Sequence, residues 1–191
     1  NNTLESLAMN PLNTVKSAII TGFVLAAVVA VCVNNVFGNP FGFNELPFAR
    51  WFHTLSGVMW IGLLWYFNFV QTPSMPKIPD EQKPAVTKVI APTALFWFRH
   101  AALWTVILGL LLATMNKYLV QALMFERPFT AIGIGMWLGL IMAFNVWFVI
   151  WPNQKKALGI VAVSADEKAA AAKLAGMTSR INTMLSIPML F

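Results

Sequence analysis

The chain has 191 residues, 58% of them hydrophobic and only 10% charged, with a formal net charge of +6 at neutral pH. Its mean hydropathy is +0.68, whereas a soluble domain carries about 25% charged residues, so composition excludes an ordinary soluble globule and points to a membrane protein. The basic residues are spread along connecting segments and not clustered on one polar face, which excludes a nucleic-acid partner and leaves topology and membrane-lipid contact as their use.

A spanning helix needs about 20 mostly apolar residues to cross ~30 Å of hydrocarbon. Four such runs occur, at 17–37, 49–71, 93–115 and 129–151. Period-two alternation is absent, which argues against a barrel. The expected fold class is all-α: a polytopic transmembrane helix bundle forming a single membrane domain over 1–191, with four complete spans and the start of a fifth.

The first run, SAIITGFVLAAVVAVCVNNVF, has no small-x-small cleavage signature after it and reads as a retained helix. Cys32 stands alone within it, so neither an internal disulfide nor a CxxCH haem-attachment motif can form, and a covalent c-type haem is excluded from these residues.

The second run carries His53 near its start. Stepping by 3.6 residues gives Ser56 or Gly57, Trp60, Leu64, Phe67 or Asn68, and Gln71, one stripe holding most of the polar and small residues. Ser56 and Gly57 leave room one turn from the imidazole, as a flat macrocycle or a close helix crossing requires. Both readings fit the spacing. After it, residues 72–92 contain prolines at 73, 76, 79, 84 and 92, which predict an ordered surface connector because proline breaks helices and stiffens extended chain.

The third run places His100 among Phe96, Trp97 and Trp104 at helical spacing, with Arg99 beside it. A b-type haem wants a neutral imidazole on iron, apolar walls and a cation for its propionates, and Arg99 offers the last. The alternative is that Arg99 snorkels to the interface among belt tryptophans. Each imidazole can equally be a structural hydrogen-bonding group. Antiparallel helices put His53 about 6 Å inside one membrane face and His100 about 10 Å inside the other, which leaves ~14 Å between them along the normal. Axial ligands of one iron must lie about 4 Å apart. The expectation is therefore separate haem sites, His53 and His100 each an iron ligand, with Arg99, Trp60 and Gly57 beside the cofactor. Second ligands would come from methionine, water or further histidines.

The fourth run holds Gly133, Gly135 and Gly139, the last two forming GxxxG, which lets helix backbones approach within the bundle or against another chain. Asn145 adds a possible interhelical hydrogen bond. Beyond it, SADEKAAAAKLAGMTSR has Ser164 and Glu167 at capping-box spacing, predicting a short cytoplasmic helix to Gly176. A fifth span then starts over 181–191. The run INTMLSIPMLF is too short to cross, so more membrane helix is expected after Phe191.

Basic residues favour the cytoplasmic side. Lys16, Lys77, Lys83, Lys88, Lys155, Lys156, Lys168, Lys173 and Arg180 fall on one side, and Arg50, Lys117 and Arg127 on the other. The N-terminus is accordingly expected in the cytoplasm, with 38–48 and 116–128 outside. No H-E-x-x-H, G-x-S-x-G, P-loop or dinucleotide glycine pattern occurs, and no span contains Asp or Glu, so hydrolase, ATPase and proton-pump readings lose support. A solute transporter is disfavoured because no paired broken helices appear in two halves.

The segments WFHTLSGVMWIGLLWYFNFVQTP, FWFRHAALWT and SRINTMLSIPMLF resemble the membrane domain of bacterial urate hydroxylases, the urate oxidase N-terminal family. The resemblance covers nearly the whole chain, with 50–73 its most specific part. It implies a multi-pass inner-membrane domain, several helices longer than this chain, linked to purine degradation and electron transfer. Full-length members end in a cytochrome c domain, and this sequence has no CxxCH. The resemblance therefore implies either electron transfer to a separate cytochrome, or a non-catalytic accessory subunit of a larger respiratory or photosynthetic membrane complex. The pattern H-x(6)-W-x-G-L made by His53, Trp60, Gly62 and Leu63 is also similar to haem-binding membrane proteins such as the membrane protoporphyrinogen oxidases. That likeness implies His53 as an iron ligand.

Overall fold

The computed structural model describes residues 14–37 and 45–191, and among these every regular element is helical. Two units divide the chain, one ending at Pro47 and one running from Phe48 to Phe191. In the first, helix α1 covers Val15–Phe37. Thr14 and Ser17 cap it reciprocally, each side-chain oxygen accepting the other's backbone N–H at 3.1 and 3.3 Å, which satisfies orphan donors of the first turn.

Helix α2 (Glu45–Trp65), which belongs to the second unit from Phe48 onward, runs on through a π-helical stretch over Tyr66–Gln71, a turn at Thr72–Ser74 and a 3-10 turn at Met75–Lys77. The chain resumes helix at Lys83–Ala85, widens to a π-helix over Val86–Ile90 and enters α3 (Ala91–Met115). The short α4 (Leu119–Leu123) leads to α5 (Thr130–Phe144), a third π-helical stretch over Asn145–Ile150 and α6 (Trp151–Ala157). The unit closes with α7 (Ala165–Met189).

The three π-helical stretches share one cause. Each ends two residues before a proline, namely Pro73, Pro92 and Pro152. A proline ring clashes with the carbonyl four residues back and offers it no N–H. Here that carbonyl belongs to Phe69, Lys88 or Phe148, each inside the widened stretch. Widening the turn to i→i+5 bonding keeps the helix continuous. The proline-rich segment 72–92 is therefore largely helical, unlike the extended connector its composition predicts. Only 78–82 lies between the helical pieces, closed by Lys83 Nζ donating to Asp80 Oδ1 at 2.6 Å. That hydrogen bond, with the lysine's charge, holds the Asp80 carboxyl below its ordinary pKa.

Half of the expected capping box forms: Ser164 Oγ accepts from the Glu167 N–H at 3.2 Å, while the Glu167 carboxylate takes Lys156 Nζ at 2.7 Å. The expected short cytoplasmic helix is not a separate element. Alanine-rich sequence carries α7 straight through Gly176 to Met189, so linker and following apolar run are one 25-residue helix. Gly159, at φ 75°, makes the turn before it: the Ile160 and Gly159 amides cap the Lys155 and Lys156 carbonyls at 2.9 and 3.0 Å, a Schellman arrangement that needs a left-handed residue.

The core lies where α2, α3 and the α5 to α6 helix meet, with Trp60, Leu64, Phe67, Leu95, Phe98, Met142, Val146 and Ile150 buried. Among the described residues three helical runs are long and apolar enough to cross a membrane: Val15–Val33, Lys83–Met115 and Thr130–Ala157.

Candidate functional site

The α2–α3 crossing positions His53. Its Nδ1 lies 2.9 Å from the Thr105 carbonyl oxygen. A carbonyl only accepts, so Nδ1 carries the proton and the lone pair of the neutral ring sits on Nε2. The ring rests against Gly109, where a Cβ would come within 2.9 Å of His53 Cε1. One turn along α2, a Cβ on Gly57 would stand 3.9 Å from the Thr105 methyl. Thr105 holds its own place by donating its hydroxyl to the Ala101 carbonyl at 2.7 Å.

His100, half-buried, hydrogen-bonds through Nδ1 to the Phe96 carbonyl at 2.7 Å. Its ring lies between Phe96, centroid to centroid 4.2 Å, and Trp147 at 5.7 Å. His53 therefore engages α3 at Thr105 and Gly109, five and nine positions beyond His100. That is ~7–14 Å along a helix rising ~1.5 Å per residue, so the two imidazoles occupy different levels of the bundle.

Arg99 is fastened to the α5 to α6 helix, not only lined by its own neighbours. Trp147 Nε1 donates to the Arg99 carbonyl at 3.0 Å, and the guanidinium carbon stands 4.0 Å from the Trp151 ring centroid and 5.3 Å from that of Phe96. Trp60 is fully buried in the core, and its indole N–H has no hydrogen-bond partner.

The largest polar feature is a seam that α7 draws along the bundle. Thr178, Asn182 and Ser186 are buried on one face. Asn182 accepts from Asn145 Nδ2 at 2.8 Å and donates to the Met142 carbonyl at 2.9 Å. Asn68 donates to Ser179 Oγ at 2.8 Å, and Trp65 Nε1 to Ser186 Oγ at 3.0 Å. The i, i+4, i+8 spacing of Thr178, Asn182 and Ser186 was the sequence signal for this face. Reading the segment as a linker followed by a separate span hides it.

Among the described residues no three His, Cys, Asp or Glu side chains converge as ligands for a metal ion. Comparison with protein-family profiles, with curated proteins and with solved structures finds no match. Among the described residues the fold is thus that of a helical protein with three helices long and apolar enough to cross a membrane.

Proposed function

We propose that the chain is a urate-hydroxylase-like integral membrane protein of the bacterial inner membrane that binds b-type haem and takes part in electron transfer. One observation carries this reading: His53, inside the segment that most specifically resembles that family, has its Nδ1 proton held by the Thr105 carbonyl. That leaves Nε2 as the ligating nitrogen, in the tautomer that haem iron requires. Bound haem supplies one-electron exchange. The protein fixes the tautomer through Thr105 and seats the ring against Gly109. His100, also bonded to a carbonyl through Nδ1, is proposed as the ligand of a second haem at another level. In this reading α2 crosses the membrane with its π-helical extension, making four crossings, α7 adds a fifth, and the N-terminus is cytoplasmic.

The test is the redox difference spectrum of the purified chain, with His53→Ala and His100→Ala beside it. A Soret band that each substitution weakens is expected, and its absence from the parent would sink the haem part. For the urate part, the full-length protein should oxidise urate when given an electron acceptor.

A second reading, an accessory subunit of a larger membrane complex, is favoured by the aromatic surface of α3 and the π-helical end of α5, where Phe96, Trp97, Phe144 and Phe148 are exposed. Co-purification with an oxidase, reductase or reaction centre would support it, and turnover by a free monomer would eliminate it.

A further inference from the structure

Among the described residues Arg99 has a second cation and aromatic rings around it and no ion-pair partner. Trp151 takes Arg99 at 4.0 Å and Lys155 Nζ at 5.7 Å from its ring centroid, so two positive charges converge on one indole. Among the described residues the ion pairs are Lys83–Asp80 and Lys156–Glu167; neither Arg99 nor Lys155 belongs to one. Arg99 Nη1 is moreover buried without any hydrogen-bond acceptor. Nη1 is closed off from outside groups, whereas Nε and Nη2 are neither buried nor hydrogen-bonded to a described residue, so they are the guanidinium donors open to an anionic oxygen from outside the chain.

Depth and surface say what kind of anion this is. A crossing of about 20 residues counted back from Met115 begins near Phe96, and one counted forward from Thr130 ends near Val149. Both counts bring Arg99, Trp151 and Lys155 to one membrane interface, the level of lipid headgroups. The flanking side chains are aromatic and outward-facing, with Phe96 45%, Trp97 54% and Phe148 69% exposed. Acyl chains have an apolar wall to lie against, directly beside the cations.

We propose that Arg99, Lys155 and Trp151 bind the phosphate of an anionic phospholipid whose acyl chains lie along Phe96, Trp97 and Phe148. Arg99 contributes planar N–H donors suited to phosphate oxygens, and Lys155 a second charge that selects an anionic over a zwitterionic headgroup. Trp151 keeps both cations in place by cation–π contact. The inference rests on the membrane reading alone and requires neither haem nor urate.

The test uses the whole chain in a zwitterionic detergent, followed by thermal unfolding with added phosphatidylglycerol, phosphatidylcholine or inorganic phosphate. Phosphatidylglycerol should raise the midpoint by about 5 °C at saturating lipid, and the other two should do so by much less. Arg99→Gln and Lys155→Gln should each reduce that shift by at least half. Lys155 lies at the helix end, so its variant keeps the test valid if the Arg99 variant folds poorly. An equal response to inorganic phosphate would overturn the lipid assignment, and a full phosphatidylglycerol shift in both variants would overturn the site. Haem content separates the two proposals: a chain without a Soret band that still responds to phosphatidylglycerol refutes the haem reading and leaves this one standing. Loss of haem from Arg99→Gln with the lipid response intact would instead give the guanidinium to a propionate.

Discussion

His53 shows how a single imidazole is governed from the helix opposite. Its hydrogen bond ends on a backbone carbonyl, and its ring occupies the volume that any side chain at position 109 would need. Substituting Gly109 by alanine puts a methyl 2.9 Å from the present position of Cε1, tighter than carbon atoms tolerate, so the ring must swing away and the Thr105 contact must lengthen. Under the haem proposal, the expected outcome for Gly109→Ala is a folded protein with near-parental stability and an altered or weakened Soret band. An unchanged spectrum would count against His53 as the ligand in that proposal. The sequence makes His53 visible as a costly polar residue in an apolar run. It does not reveal Thr105 or Gly109, because a threonine carbonyl and a bare glycine carry no pattern along the chain.

Glycines divide sharply by what their helices meet. A Cβ on Gly133 would stand 2.0 Å from the Ala122 carbonyl oxygen, since α4 folds back onto the start of α5, whereas one on Gly62 would meet nothing within 4 Å. Backbone cannot give way as a flexible side chain does, so Gly133→Ala should cost ~1–3 kcal/mol as an overpacking change. Gly62→Ala should leave stability unchanged or slightly raised through helix propensity. Unfolding of both variants in detergent checks the contrast, and equal midpoints would contradict the close approach of α4 and α5. The GxxxG pair faces the far end of α7, with the Met189 carbonyl 3.3 Å from a Cβ on Gly135 and its sulfur 3.7 Å from one on Gly139. The spacing announces a close contact. Only the packing shows that the partner lies in the same chain.

Assembly of the second unit depends on α7, a helix whose exposed side is mixed and whose buried side is polar and small. Its fit against α5 is specified by hydrogen bonds that bulk hydrophobicity would not supply, above all the Asn145–Asn182 pair at 2.8 Å. A double-mutant cycle of Asn145→Ala and Asn182→Ala should give a coupling of ~0.6 kcal/mol, the average for such pairs in bilayers. Coupling indistinguishable from zero would mean that the seam does not set the register of α7. Each single substitution strands the remaining amide in a dry environment, so both should destabilise more than the coupling alone.

Hydrophobic runs bounded by charge determine by themselves that this chain is helical and carries segments long and apolar enough to cross a membrane, because hydrocarbon admits only backbone that satisfies its own hydrogen bonds. The stripe through Trp60, Leu64 and Phe67 was equally legible, since 3.6-residue spacing is a local property. What tertiary structure alone decided is which polar group meets which: His53 with Thr105, Asn145 with Asn182, Arg99 with Trp151. It also decided that prolines 73, 92 and 152 widen their helices without ending them. Those outcomes depend on contacts between segments up to 121 positions apart, as Trp65 and Ser186 are, and on whether a helix widens or ends at a proline. Neither is encoded in any window of adjacent residues.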